Sequence, residues 1–124
     1  MKWIKCLVIL PLFSLFNNGT TFQDASISKK YHHVLLFQWK DSLDLNVKKE
    51  VIQLFKNLPA KIDGFEEVSI VDLAESSEGF NTICFQVFNS IEAYQQYKSH
   101  PDHAKISEIG PPLLSGFSEF DYWK

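Results

Sequence analysis

Tyr31-His32-His33-Val34-Leu35-Leu36-Phe37-Gln38-Trp39-Lys40 decides the fold. The segment reads as a strand. Val34 to Phe37 is apolar without interruption, and Gln38-Trp39-Lys40 then alternates. Strand side chains point to opposite faces in turn, so His33, Leu35, Phe37 and Trp39 share one face, and His32, Val34, Leu36 and Gln38 the other. Continuous apolarity in a strand calls for cover on both sides.

Working outward, Asp41 to Asp44 is a turn, and Leu45 to Leu58 is expected as a helix capped by Asp44 or Asn46. Its apolar residues Val47, Val51, Leu54, Phe55, Leu58 and Ile62 recur by threes and fours, with Lys48, Lys49, Glu50 and Lys56 on the wet side. Pro59 ends it and Asp63-Gly64 turns the chain. Phe65 to Leu73 and Phe80 to Phe88 read as strands joined by the polar loop 74–79. On the latter strand Thr82, Cys84, Gln86 and Phe88 share one face. Asn89 or Ser90 caps a second helix, with Glu92 placed to complete a capping box on Asn89. That helix is expected to run to about Ser99 and stop at Pro101, with at most one short turn over 102–108. Leu114 to Trp123 is the last strand, alternating Phe117, Glu119, Asp121 and Trp123 against Ser118, Phe120 and Tyr122.

The order β-α-β-β-α-β predicts an α+β, ferredoxin-like protomer, with one antiparallel sheet and both helices on one face. A single helix layer leaves the other sheet face bare, and soluble proteins avoid large bare apolar faces. A second copy of the same sheet is the simplest cover, which predicts a homodimer, a dimeric α+β barrel.

Residues 1–22 read as a signal peptide. Lys2 and Lys5 form a cationic start, Cys6 to Phe16 is mostly apolar, and Asn17 to Thr21 is polar. The apolar run is about half of the roughly 20 residues a spanning helix needs, so no membrane span is expected in the mature chain. The protein is therefore expected to be secreted or periplasmic, with residues 23–30 as a linker and 31–124 as one domain. With Cys6 removed, Cys84 would stand alone, a buried thiol without a disulfide partner. A net charge of -3 and no basic stripe argue against nucleic acid as a partner.

All four histidines lie in two places, His32/His33 and His100/His103. Tyr97 stands at the end of the second helix, where a phenol reaches inward while its ring stays buried. Asp121 on the last strand is placed to reach the turn carrying His103, and a carboxylate paired to an imidazole fixes its tautomer and raises its basicity. The rival is a metal on His33, His100, His103 and Asp121. Because Pro101 spoils the regular helix that would align the H-x-x-H rings, neither a metal nor another cofactor is expected. No G-x-S-x-G elbow or glycine-rich phosphate cradle is present in the sequence.

Five stretches together carry a resemblance: His33 to Asp41, Gly64-Phe65, Phe88 to Tyr94, Tyr97 to His103, and Phe120-Asp121-Tyr122. They resemble the stress-responsive dimeric α/β-barrel (Dabb) domain over residues 31–124. That family includes heat-stable plant stress proteins and a plant polyketide cyclase. The resemblance implies a dimer of ferredoxin-like protomers with a small hydrophobic ligand pocket in each. By that resemblance, Tyr97 would act as acid and His103 as base, His33 is the opening-strand histidine, and Asp121 supports the catalytic imidazole. Leu35, Phe37, Phe55, Cys84 and Phe117 would line the pocket, with His100 at its mouth. Cys84, Gln86 and Glu119 make the wall more polar than the family pattern. Three functions stay open: a stress-type binding domain, a cyclase- or lyase-like enzyme, and a haem- or quinol-type monooxygenase of the related dimeric barrels. The last needs an axial ligand or a dedicated Asn/Trp/His set that these residues do not identify.

Overall fold

The computed structural model describes residues 28–124. The expected signal segment lies outside the described residues. The order is β1 (Tyr31–Trp39), α1 (Leu45–Asn57), β2 (Phe65–Asp72), β3 (Thr82–Phe88), α2 (Ile91–Ser99), α3 (Pro101–Ile109) and β4 (Leu114–Trp123), with 3₁₀ turns at Leu58–Ala60 and Pro111–Leu113. The four strands form one antiparallel sheet in the order β2-β3-β1-β4. This is the ferredoxin-like arrangement expected from the sequence. No helix among the described residues is long and apolar enough to cross a membrane.

The period-two reading of β1 sets the layers. Leu35, Phe37 and Trp39 are buried against the helices, together with Cys84 and Phe88 of β3 and Val51 and Phe55 of α1. Each such Leu or Phe contributes roughly 1.5–3 kcal/mol when removed from water. Asp44 caps α1, its carboxylate accepting from the backbone N–H groups of Asn46 at 2.9 Å and Val47 at 3.3 Å. The short turn between α1 and β2 depends on Gly64, whose φ of +84° is strained for any residue with a Cβ. Its carbonyl accepts the Asn89 N–H at 2.8 Å, tying that turn to the end of β3.

The start of β3 and the chain after Pro101 differ from expectation, and one of the two offered caps of α2 is selected. Strand β3 begins at Thr82 rather than Phe80, because Asn81 turns its side-chain oxygen onto the Trp39 N–H and its own N–H onto Phe37 O. Ser90, not Asn89, caps α2, its Oγ accepting from Ala93 N at 3.1 Å. Glu92 then falls at the second helical position, one residue too early for a capping box. Pro101 does not leave a mere turn behind it. It opens the nine-residue helix α3, with His100 as the cap. Proline fits the first helical position because its missing N–H is not needed there, and the residue before it is held extended, as His100 is at ψ 141°.

The face away from the helices carries large apolar groups in the protomer. Phe120 is 49% exposed, Val71 46% and Phe85 38%, with Tyr122 beside them.

Candidate acid-base site

Between the sheet and helices α1 and α3 lies a cavity of about 480 Å³. Most of its wall is apolar, formed by Leu35, Phe37 and Trp39 of β1, Val51 and Phe55 of α1, Ile106 of α3, and Leu114 and Phe117 of β4. One end is polar. There β1 brings His33, α2 brings Tyr97 and Lys98, α3 brings His103, and β4 brings Glu119.

The kink at His100-Pro101 creates this end. It breaks the helical path so that Tyr97, in the last turn of α2, meets His103, in the first turn of α3, with ring centroids 4.5 Å apart edge to face. Tyr97 is 1% exposed, and its hydroxyl oxygen accepts from Gln86 Nε2 at 3.3 Å. Burial holds that phenol well above its ordinary range, against a smaller opposing effect of Gln86. It therefore stays protonated and able to donate. His103 is pushed the other way. Burial first, and then the nearby Lys98 charge, hold its imidazole below the usual histidine value, with a hydrogen bond to the Lys98 main chain in opposition. A neutral imidazole next to a protonated phenol is a base beside an acid.

His33 is 2% exposed. The antiparallel register sets it opposite Asp121, and Nδ1 hydrogen bonds to Asp121 Oδ1. The other carboxylate oxygen accepts from Tyr31 Oη at 2.6 Å. Burial, followed by this bond to Asp121, raises the Tyr31 phenol. Asp121 is thus a partner of His33 and not of His103, which corrects the pairing expected from the sequence. The strand ladder decided the matter, since β4 runs beside β1 and His103 sits on a helix. On its other side, His33 Nε2 faces Glu119 Oε2 at 3.8 Å.

Of the residues singled out from the sequence, His33, Leu35, Phe37, Phe55, Tyr97, His103 and Phe117 line one cavity. Asp121 stands behind His33. Cys84 lies beneath the lining, fully buried, with burial pushing its thiol up to about 12. His100 lies away from the cavity lining. Its Nδ1 accepts the Asp102 N–H at 3.0 Å as the cap of α3, so the four-residue metal set is not assembled. Among the described residues no group of three or more His, Cys, Asp and Glu could hold a metal ion. The sequence did not single out Lys98, Ser107 and Ser115 at the cavity edge. Nor did it show that Gln86, buried in an apolar strand, binds the Tyr97 hydroxyl. The signal was present, since an amide on the inner face of β3 requires a polar neighbour.

A model of the family described as the stress responsive A/B barrel domain (Dabb) matches residues 31–124. The olivetolic acid cyclase of Cannabis sativa is 26% identical over 93 residues, covering 73% of this chain and 92% of that protein. The hydroxynitrile lyase of Passiflora edulis superposes with a TM-score of 0.70 at 14% identity, over 78% of this chain and 94% of that one. A dimeric ferredoxin-like protein of unknown function from Thermobifida fusca gives a TM-score of 0.64 at 22% identity, over 77% and 92%. At such identities the two structures speak to the fold.

Proposed function

Because the chain belongs to the stress-responsive A/B barrel (Dabb) family, we propose that it is a homodimeric small-molecule enzyme of the cyclase or lyase type, with one acid-base cavity per protomer. The observation that carries this is the edge contact of Tyr97 and His103 at the polar end of an apolar cavity. The substrate is small and mainly apolar, and it bears a carbonyl or cyano-carbinol group at its polar end. His103 takes a proton from the carbon beside a carbonyl, and the C–H bonding pair becomes an enolate. Tyr97 donates a hydrogen bond to the oxygen that gathers the charge. The enolate carbon closes onto a second carbonyl of the same molecule, and His103 returns the proton to the new alkoxide. In the lyase variant, His103 takes the hydroxyl proton, the freed oxygen pair forms the carbonyl, and cyanide leaves with the carbon–carbon bonding pair and takes the proton back from the His103 imidazolium. His33, held by Asp121, keeps the cavity wall rigid beside these two groups. Support for the cyclase type comes from the Cannabis sativa relative, and support for dimerisation from the bare apolar sheet face and the dimeric Thermobifida fusca neighbour.

The test uses residues 31–124 with an aryl-substituted triketone and an aromatic cyanohydrin as substrates. His103→Ala and Tyr97→Phe are expected to lower turnover by at least about 10²-fold, the usual range for a lost general acid or base. A wild-type domain that turns over neither class, or a His103→Ala variant as active as wild type, refutes the enzyme reading.

We further propose that the chain is exported. The support is the cationic, apolar and polar succession of residues 1–22. N-terminal sequencing of the protein from the culture medium or periplasm of an expressing cell is expected to begin between Gly19 and Ala25. Recovery only in the cytoplasm with Met1 retained refutes it.

A further inference from the structure

Glu119 has no part in the reaction just described, yet its carboxylate faces the polar end of the cavity. His33 Nδ1 bonds to Asp121, so the neutral tautomer that fits this bond has its proton on Nδ1 and Nε2 open as an acceptor. The atom facing Nε2 is Glu119 Oε2, a second acceptor, at 3.8 Å. That separation is too long for a direct hydrogen bond. It suits one donor atom seated about 2.9 Å from both. A ligand hydroxyl fills one of these bonds and an ammonium group fills both. A ligand carboxylate brings a third acceptor to the pair and meets a like charge. The surrounding charges agree. Asp121 adds negative charge from behind His33, and the cation among the lining residues, Lys98, holds its Nζ 6.0 Å from the Tyr94 ring centroid. The hydroxyl donor of Tyr97 remains for a carbonyl or ether oxygen.

We propose that Glu119 is a specificity residue, and that with His33 Nε2 it selects ligands whose polar head is a hydroxyl or an amine over ligands whose head is a carboxylate. This rests on the cavity being the ligand site, as proposed above. It adds the chemical class of the head group.

The experiment is calorimetric titration of residues 31–124 with four probes sharing one apolar body: 4-butylbenzylamine, 4-butylbenzyl alcohol, 4-butylbenzoate and 4-butyltoluene. In the wild type the amine and the alcohol are expected to bind at least about ten-fold more tightly than the benzoate. In Glu119→Gln the benzoate gains and the amine loses, so that the two come within about two-fold. Glu119→Asp keeps the wild-type order. Glu119 is half-exposed, so both variants are expected to fold, and their thermal melts verify this. A wild type that prefers the benzoate, drawn by Lys98, or a preference unchanged in Glu119→Gln, overturns the proposal and leaves the cavity reading intact. Failure of all four probes to bind removes both.

Discussion

Replacing Asp121 by Asn removes one charge and leaves the side chain's shape almost unchanged. The carboxylate accepts from two donors, His33 Nδ1 and Tyr31 Oη. An amide keeps one acceptor oxygen and turns an NH₂ group toward the other donor. A hydrogen bond to a charged partner contributes about 1.5–3 kcal/mol, and a buried donor left without a partner forfeits about 1–3 kcal/mol. His33 is the buried donor here, while Asp121 is 32% exposed in its side chain and Tyr31 is partly exposed. The lower part of the range applies, a loss of about 2 kcal/mol. For a domain of this size each kcal/mol moves Tm by about 4–8 °C, so the variant is expected to melt roughly 8–16 °C below wild type. Circular dichroism at fixed protomer concentration is the assay, because the proposed dimer would make Tm depend on concentration. A double-mutant cycle then locates the partner. Asp121→Asn with His33→Gln is expected to be non-additive by about 1–2 kcal/mol, and with His103→Gln additive to within about 0.5 kcal/mol. A melting drop of less than about 2 °C, or stronger coupling to His103 than to His33, would falsify the pairing.

Further expectations concern the two faces of the sheet. Phe120→Asp puts a charge on the bare apolar face, beside the edge of the sheet, and light scattering is expected to show protomers in place of the proposed dimer. His103 has its imidazole held low in the fold, so the unfolded chain binds its proton first. Stability is therefore complete above the unfolded histidine value of about 6.5, is lost as pH falls from there through the lower folded value, and then levels off. Urea titrations across that window are expected to show the slope in wild type and a shallower one in His103→Gln. Gln86→Leu removes the buried amide whose Oε1 has no hydrogen-bond partner. Its stability is expected to stay within about 1 kcal/mol of wild type, while spectrophotometric titration shows the Tyr97 phenol ionising at still higher pH.

Much of the fold was legible because it rests on local periodicity. The alternation in β1 and β4 and the threes and fours of α1 each name the buried face, and the element order then admits few topologies. The cavity lining of Leu35, Phe37, Phe55 and Phe117 came from the family resemblance, and the periods of these elements are consistent with it. What local pattern does not encode is pairing between distant groups. Asp121 had two imidazoles to choose from, and only the antiparallel register, Asp121 opposite His33, settles which. Pro101 was ambiguous in another way, because proline both ends helices and begins them. The deciding contact, His100 Nδ1 on the Asp102 N–H, is a capping role seldom taken by histidine. Asn89 and Ser90 were equally good caps by residue type, and one residue of helix phase separates them.

Strand β4 gives two sides of the molecule to one run of ten residues. Its odd-numbered positions, Phe117, Glu119 and Asp121, face the cavity and its support. Its even-numbered positions, Phe120 and Tyr122, face the surface proposed to meet a second copy. A point substitution changes one set and leaves the other in place, so ligand preference and assembly can drift independently over generations. An insertion or deletion of one residue exchanges the sets and destroys both at once. This strand should therefore accept many single replacements and almost no change of length.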